Sequence, residues 1–261
     1  MTLLILAFIV GTMVGSFLNV CVYRIPEGRS IVLPASHCRS CKKPIAFYDN
    51  IPLVSFLLLK GKCRHCAAPL SFQYPLVELL TGLLAAACLL KWGAGYTAAI
   101  WFIFCAALVV VTFIDLAHQI IPDVISLPGI VCGLLVSLLP DQPGFTGALI
   151  GAVLGGGSLY LIRLLYYAVT RQEGMGLGDV KLLAMMGAFL GWQSILFIIM
   201  AASCAGALLG IAVMIIKKKD GRYAIPFGPF LSLGAICYLF YGQQMINWYL
   251  NLHLLIQEGI G

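Results

Sequence analysis

The sequence predicts an all-α fold, a polytopic membrane bundle of about eight helical spans that carries a small cysteine-rich insert. Of its 261 residues, 61% are hydrophobic and 10% are charged, whereas roughly a quarter of the residues of a soluble domain are charged. The mean hydropathy is +1.01. Uncharged stretches also recur at lengths near the roughly 20 residues that cross a bilayer. We therefore expect a lipid bilayer around the chain. Nucleic acid is not an expected partner, because no long basic face interleaved with aromatic residues occurs outside the insert.

Stretches that are free of charge define the predicted spans. They cover residues 1–23, 79–90, 92–114, 124–140, 142–162, 182–216 and 223–257. The 182–216 stretch is too long for one simple span, and Gly191-Trp192-Gln193 is predicted to divide it. Residues 1–23 lack the basic start and the cleavage site of a signal peptide, which predicts a retained first span. The predicted domains are this span, a loop domain over 24–74, and a transmembrane domain over 75–261.

Lysine and arginine placement predicts the orientation of the spans. Basic residues fill the first loop and every second connection after it: Arg24, Arg29, Arg39, Lys42, Lys43, Lys60, Lys62 and Arg64, then Arg163, Arg171 and Lys181, then Lys217, Lys218, Lys219 and Arg222. The alternate connections hold Lys91 as their one basic residue. Because basic loops remain in the cytoplasm, the first loop is predicted to be cytoplasmic and both termini to lie outside.

Two cysteine pairs in the first loop have the spacing of a metal site. Cys38-x-x-Cys41 and Cys63-x-x-Cys66 are separated by 21 residues. Such pairs each supply two corners of a tetrahedron in structural zinc sites, so a zinc-ribbon-like cytoplasmic insert with one structural zinc is predicted. The alternative is a membrane thiol oxidoreductase that uses the two pairs. The placement of both pairs in a loop expected in the reducing cytoplasm disfavours it.

Three aspartates lie at predicted cytoplasmic ends of spans: Asp115, Asp123 and Asp179. Ionisable residues at membrane depth are costly and mark functional sites. Two carboxylates that share one proton can act as general base and general acid, and Asp115 and Asp179 suit this role because they come from different spans. A proton-coupled transporter would use the same pair equally well. For Asp123, which follows a proline, a helix-start role is at least as plausible as a catalytic one.

Four further residues are candidates for support of this site. Gly176 and Gly178 precede Asp179 and would let backbone or substrate approach closely. Glu78 lies near the cytoplasmic start of the second span and would face the active-site cavity, although a plain helix-start acid is an equal alternative. Lys181 would pair with Asp179, or would anchor the helix at the cytoplasmic surface.

Several segments resemble one family in order and spacing. Gly-x-Gly-Asp at 176–179 is similar to the motif of the GxGD intramembrane aspartyl proteases, and 115–123 resembles the other active-site segment of type IV prepilin peptidases. Segments 15–20, 23–26, 74–82 and 225–230 resemble further parts of that family. The resemblance extends over nearly the whole chain and favours the protease over the transporter.

This resemblance implies an aspartyl endopeptidase of the bacterial cytoplasmic (inner) membrane, with Asp115 and Asp179 as catalytic residues in the 75–261 domain. It implies that the substrates are type IV prepilins or type II secretion pseudopilins, which are cut at the cytoplasmic membrane face. It also implies N-methylation of the new N-terminal residue with S-adenosylmethionine, for which the sequence predicts no particular ligand residues.

Overall fold

The computed structural model describes residues 1–140, 142–172, 174–217 and 226–258, and the side chains of most of them. Nine α-helices occur within these ranges: α1 Thr2–Arg24, α2 Val54–Leu58, α3 Gln73–Trp92, α4 Tyr96–His118, α5 Asp123–Val136, α6 Phe145–Thr170, α7 Leu177–Leu190, α8 Gln193–Lys217 and α9 Gly228–Glu258. A 3-10 turn covers Phe47–Asn50, and the described residues contain no β-strand beyond two isolated bridges in the first loop. The predicted all-α class is confirmed.

Five helices within the described ranges are long and apolar enough to cross a membrane, namely α1, α3, α4, α6 and α8. The stretches Asp123–Val136 and Gly228–Gly242 are shorter apolar helices, and α7 has 14 residues. A multi-span membrane protein is therefore confirmed, whereas the predicted count of eight spans is not.

The helix boundaries follow local signals in the sequence. The predicted division at Gly191-Trp192-Gln193 is confirmed, because α7 ends at Leu190 and α8 begins at Gln193. Gly191 has φ +79°, a conformation that glycine adopts without strain. The helix α3 begins at Gln73, well before the uncharged stretch at 79, because Pro75 is tolerated in a first turn and Glu78 is accommodated inside the helix. The predicted basic cluster Lys218, Lys219 and Arg222 lies outside the described residues.

The chain forms two compact units, Met1–His118 and Gln119–Gly261. In the first unit, α1 packs tightly against α3 through glycines. A Cβ atom added to Gly15 would lie 2.7 Å from the Glu78 Cα, and one added to Gly11 would lie 2.8 Å from the Gly82 Cα. Small residues four apart let membrane helices approach closely. This packing brings segments 15–20 and 74–82 side by side, and the Asn19 Nδ2 donates a hydrogen bond to the Tyr74 carbonyl at 3.1 Å.

In the second unit, α7 lies between α5 and α6 and is the most buried helix. Glycines of α5 face α7 side chains: a Cβ on Gly133 would lie 2.8 Å from the Ala188 Cβ. On the other side, Gly151 of α6 and Gly187 of α7 are in backbone contact. Asp179 lies in the first turn of α7, and α7 is itself packed closely against α5 on one side and α6 on the other.

Replacement of Gly187 by alanine is expected to destabilise the second unit. The new Cβ would collide with the Gly151 backbone carbonyl, which cannot move without displacing α6, and overpacking of this kind costs about 1–3 kcal/mol. Thermal unfolding in detergent should therefore occur at a lower temperature. Gly157→Ala is the matched control on α6, because no atom lies within 4 Å of its added Cβ. An equal stability of the two variants would contradict this packing.

Candidate functional site

Asp115 is a buried carboxylate in an apolar helix. It lies one turn before the end of α4, follows the fully buried Ile114, and is 5% exposed. Burial of an ionised carboxylate costs several kcal/mol, on the order of the desolvation penalty for one ion. A carboxyl group at such a position is therefore suited to hold and exchange a proton.

Asp179 lies in the first turn of α7, where the amide groups of a helix N-terminus favour a carboxylate. Gly176 is the N-cap in an extended conformation, with φ −71° and ψ 146°. A Cβ on Gly178 would lie 2.8 Å from the Ile121 Cβ, so this glycine allows the turn before α5 to contact the start of α7. The close approach predicted for the glycines is thus present at Gly178. At Gly176 the nearest atom to an added Cβ is the Asp179 Oδ2 at 3.6 Å, an ordinary contact.

Asp123 and Lys181 form an ion pair that joins the starts of α5 and α7. The Lys181 Nζ donates to the two Asp123 carboxylate oxygens at 2.7 and 2.8 Å. Lys181 therefore has Asp123 as an ion-pair partner, and its pairing with Asp179 stays a prediction. Asp123 is the first residue of α5, which is the position expected of a helix-start acid. Its carboxylate holds Lys181, which lies two residues after Asp179.

Asp115 belongs to the first unit and Asp179 to the second. Each carboxylate lies near a helix end and next to an apolar segment. Their meeting in one site remains a prediction.

The four cysteines of the first loop converge. The Sγ atoms of Cys38, Cys41, Cys63 and Cys66 all lie within 4.8 Å of one another. The Cys38 and Cys66 sulfurs are 3.8 Å apart, which is the edge of a tetrahedron with Zn–S distances of about 2.3 Å. It is also far longer than a disulfide bond of about 2.05 Å. The donor set and its geometry fit zinc.

The two cysteine pairs sit on matching backbone turns. In the first, the Lys42 N–H donates to the Cys38 carbonyl and Cys38 N–H donates to the Lys43 carbonyl, each at 2.9 Å. The second repeats this pattern, with Ala67 donating to Cys63 and Cys63 to Ala68 at the same distances. The residue after each pair has a positive φ, 61° at Lys42 and 56° at Ala67. This repeat explains why both pairs present their sulfurs to one point.

The thiols of this cluster have divergent acidities. The backbone N–H groups of Cys41 and Ser40 point at the Cys38 sulfur and lower its pKa from 9.0 to about 6. The Ala68 N–H stabilises the Cys66 thiolate, but burial and the three neighbouring cysteines raise the pKa of Cys66 to about 11. Four thiols at this spacing cannot all ionise without a cation among them, and a dication supplies the missing charge.

A cavity of about 410 Å³ lies beside the cluster within the first unit. It is lined by α1, by both cysteine turns, by the segment around α2 and by the start of α3. Four buried polar residues line it: Asn19, Arg24, Ser55 and Glu78. Arg24 donates to the carbonyls of Ser30 and Pro34 at 3.0 and 2.7 Å and so folds the loop back on α1.

Glu78, expected either to face an active-site cavity or to be a plain helix-start acid, lies against the first loop. Its Oε2 accepts a hydrogen bond from the Leu53 N–H at 2.8 Å. Arg24 was expected only as a topology charge and Asn19 only within a resemblance segment, so the structural positions of both were missed. A signal was present for Asn19, which is a polar residue inside an otherwise uncharged, apolar span.

Comparison with known proteins supports one assignment. A family model described as the bacterial peptidase A24 N-terminal domain matches residues 9–92. A second, described as the type IV leader peptidase family, matches residues 102–211. The first match covers α1, the four-cysteine loop and α3, and the second covers Asp115 and Asp179. No solved structure matches the chain significantly.

Several relatives align over almost their whole length. A protein of Aeromonas hydrophila named prepilin leader peptidase/N-methyltransferase is 38% identical over 270 residues, which cover 94% of this chain and 93% of the relative. A Pseudomonas aeruginosa protein of the same name is also 38% identical, over 93% of this chain and 92% of its own. The predicted family is confirmed, and the chain belongs to the type IV leader peptidase family.

Proposed function

We propose that this protein is a membrane aspartyl endopeptidase that removes the leader peptides of prepilins or pseudopilins and then N-methylates the new N-terminus. The names of the relatives support both activities. The observation that carries the peptidase assignment is the buried carboxylate of Asp115, at the end of the apolar helix α4. The second carboxylate of the same matched region is Asp179, at the start of the tightly packed α7.

In the proposed mechanism, the two carboxyl groups share one proton. Two close carboxyls cannot both ionise easily, so one keeps its proton at neutral pH. The ionised partner removes a proton from water as that water attacks the scissile carbonyl. The protonated partner donates to the carbonyl oxygen, and the proton later reaches the leaving amine. Gly176, at which an added Cβ would meet no atom closer than 3.6 Å, would leave room for an extended peptide beside Asp179, whereas the space at Gly178 is occupied by Ile121.

The proposed orientation places this chemistry at the cytoplasmic membrane face. Arg24, Arg39 and the other basic residues of the first loop favour a cytoplasmic loop and external termini. A substrate with a cytoplasmic leader and a hydrophobic helix in the bilayer would present its cleavage site at that face. We further propose that residues 24–74 form a metal-stabilised loop domain and that residues 75–261 form the peptidase domain.

The second activity is proposed to depend on the four-cysteine loop. Cys38, Cys41, Cys63 and Cys66 would hold one structural zinc ion, which when bound neutralises the thiolates and links the two cysteine turns. S-adenosylmethionine is the proposed methyl donor. The sulfur separation of 3.8 Å between Cys38 and Cys66 supports a metal site over the thiol oxidoreductase alternative.

The test of this function is cleavage of a purified prepilin by the detergent-solubilised protein, followed by labelling with a methyl-labelled donor. The expected result is a shortened pilin that carries one methyl group on its new N-terminal nitrogen. A protein that moves protons across vesicles and cleaves nothing would be the transporter that Asp115 and Asp179 could equally serve.

Replacement of Asp123 by asparagine is expected to retain substantial cleavage. The ion pair with Lys181 is partly exposed, with side-chain exposures of 32% for Lys181 and 56% for Asp123, and such pairs contribute about 0–1 kcal/mol. Lys181→Met should have a similarly small effect, because it removes the same pair from the other side. Complete loss of cleavage in Asp123→Asn, with Lys181→Met active, would instead make Asp123 a member of the catalytic site.

A further inference from the structure

One residue that lines the cavity of the first unit has a buried amide oxygen without a hydrogen-bond partner among the described residues. Asn19 is 4% exposed and lines the cavity. Its Nδ2 donates to the Tyr74 carbonyl at 3.1 Å, and because a carbonyl only accepts, the orientation of the amide is settled. The Oδ1 accepts no hydrogen bond from any residue that the structure describes. Buried polar atoms are normally satisfied, so this oxygen indicates a ligand that offers a donor or a positive charge.

Glu78 adds a negative charge to the same cavity. Glu78 is 7% exposed, and its Oε2 accepts a hydrogen bond from the Leu53 N–H at 2.8 Å. Among the described residues no cation pairs with it, in contrast to Asp49, the other acid of the lining. The Asp49 carboxylate is paired with Arg64, whose Nε and Nη2 groups donate hydrogen bonds to it and hold its pKa below the usual range.

The cavity lining also contains the guanidinium group of Arg39 and the aromatic rings of Tyr23 and Tyr74. The Arg39 guanidinium lies 3.7 Å from the centroid of the Tyr23 ring and 5.7 Å from that of Tyr74. It is thereby held over the cavity with its donors available to an anionic group. The volume of about 410 Å³ lies within the roughly 300–1,000 Å³ range of small-molecule sites. A fitting ligand carries a positive charge, a carboxylate and a sizeable ring system.

We propose that this cavity binds S-adenosylmethionine, with the sulfonium beside the Asn19 Oδ1 and the Glu78 carboxylate and the ligand carboxylate near Arg39. The inference rests on the proposed methyltransferase activity and deepens it. The neutral amine of the cleaved substrate attacks the sulfonium methyl, so that an N–C bond forms as the S–C bond breaks. The electron pair of the broken bond returns to sulfur, leaving S-adenosylhomocysteine and a secondary ammonium. Glu78 and Asn19 contact the sulfonium charge, which moves from sulfur to the substrate nitrogen in this step.

The first arm of the test measures binding by the purified full-length protein in detergent. Glu78→Gln preserves shape and can still accept from Leu53, but it removes the charge. It should weaken the binding of S-adenosylmethionine at least about tenfold. The binding of S-adenosylhomocysteine, which lacks the sulfonium charge, should weaken less than about threefold. Val20→Trp, which fills the cavity from α1, should abolish binding of both. Val10→Trp is the matched control, because its side chain on the same helix is 48% exposed and outside the lining.

The second arm does not depend on the folding of any variant. Ultraviolet irradiation of the unmodified protein with labelled S-adenosylmethionine should attach label to peptides that contain Tyr23 or Tyr74. Label confined to residues 119–261, or equal donor affinity in Glu78→Gln, Val20→Trp and wild type, would overturn the site. Those outcomes would leave the proposed methyltransferase intact if the wild type still methylates. A wild type that cleaves prepilin but neither binds nor uses the donor would overturn the proposed activity and the site together.

Discussion

Asp115→Asn and Asp179→Asn are each expected to abolish leader-peptide cleavage while the protein still inserts and folds. In the shared-proton mechanism, asparagine can neither take the proton from water nor donate one to the carbonyl, and general acid–base catalysis contributes about 10²–10⁴-fold. Folding should survive because asparagine has nearly the same shape. At the buried position 115, a neutral side chain also removes the cost of burying charge.

The measurement is cleavage of a purified prepilin by each detergent-solubilised variant, beside its thermal unfolding temperature. Asp123→Asn is the matched control, since it makes the same chemical change at the first residue of a neighbouring helix. Near-normal cleavage by either Asp115→Asn or Asp179→Asn would remove that residue from the catalytic pair.

Cys63→Ser is expected to release the zinc and to impair methylation strongly. The first loop has little core of its own: Val32, Phe47 and Leu57 are exposed, so its fold depends on the metal that joins the two cysteine turns. Loss of one thiolate should reduce the metal content from one zinc per chain to near zero. Since the cysteine turns line the cavity beside Glu78, the methyl-donor site should be lost with the loop.

Metal analysis and thiol alkylation of the purified protein check this prediction. The four thiols should resist alkylation until a chelator is added. Cys132→Ser is the matched control, because Cys132 is an exposed cysteine in the second unit and outside the cluster. Absence of zinc from the native protein, together with a Cys38–Cys66 disulfide, would favour the thiol oxidoreductase instead.

The sequence predicted the features that are encoded locally. Uncharged stretches indicated most helices, and Gly191-Trp192-Gln193 indicated the break between α7 and α8, because turn signals and apolar runs act over a few residues. The cysteine cluster was predictable for the same reason, since each pair occupies a single turn and two such pairs make one metal site.

Features that depend on contacts distant in sequence could not be predicted. Lys181 pairs with Asp123, 58 positions away, because the packing of α5 on α7 brings this carboxylate within its reach. Asn19 and Glu78 similarly face one cavity only because Gly11 and Gly15 let α1 approach α3. Glycine spacing alone does not specify the partner helix.

The central claim is that one chain holds two separate sites, a carboxylate site for cleavage and a metal-supported site for methyl transfer. The most direct test supplies an already processed pilin with a labelled methyl donor to purified Asp179→Asn and Cys63→Ser proteins. The account predicts that Asp179→Asn incorporates label at close to the wild-type level, although it cannot cleave prepilin, and that Cys63→Ser incorporates little. Loss of labelling in Asp179→Asn with full labelling in Cys63→Ser would contradict the two-site account.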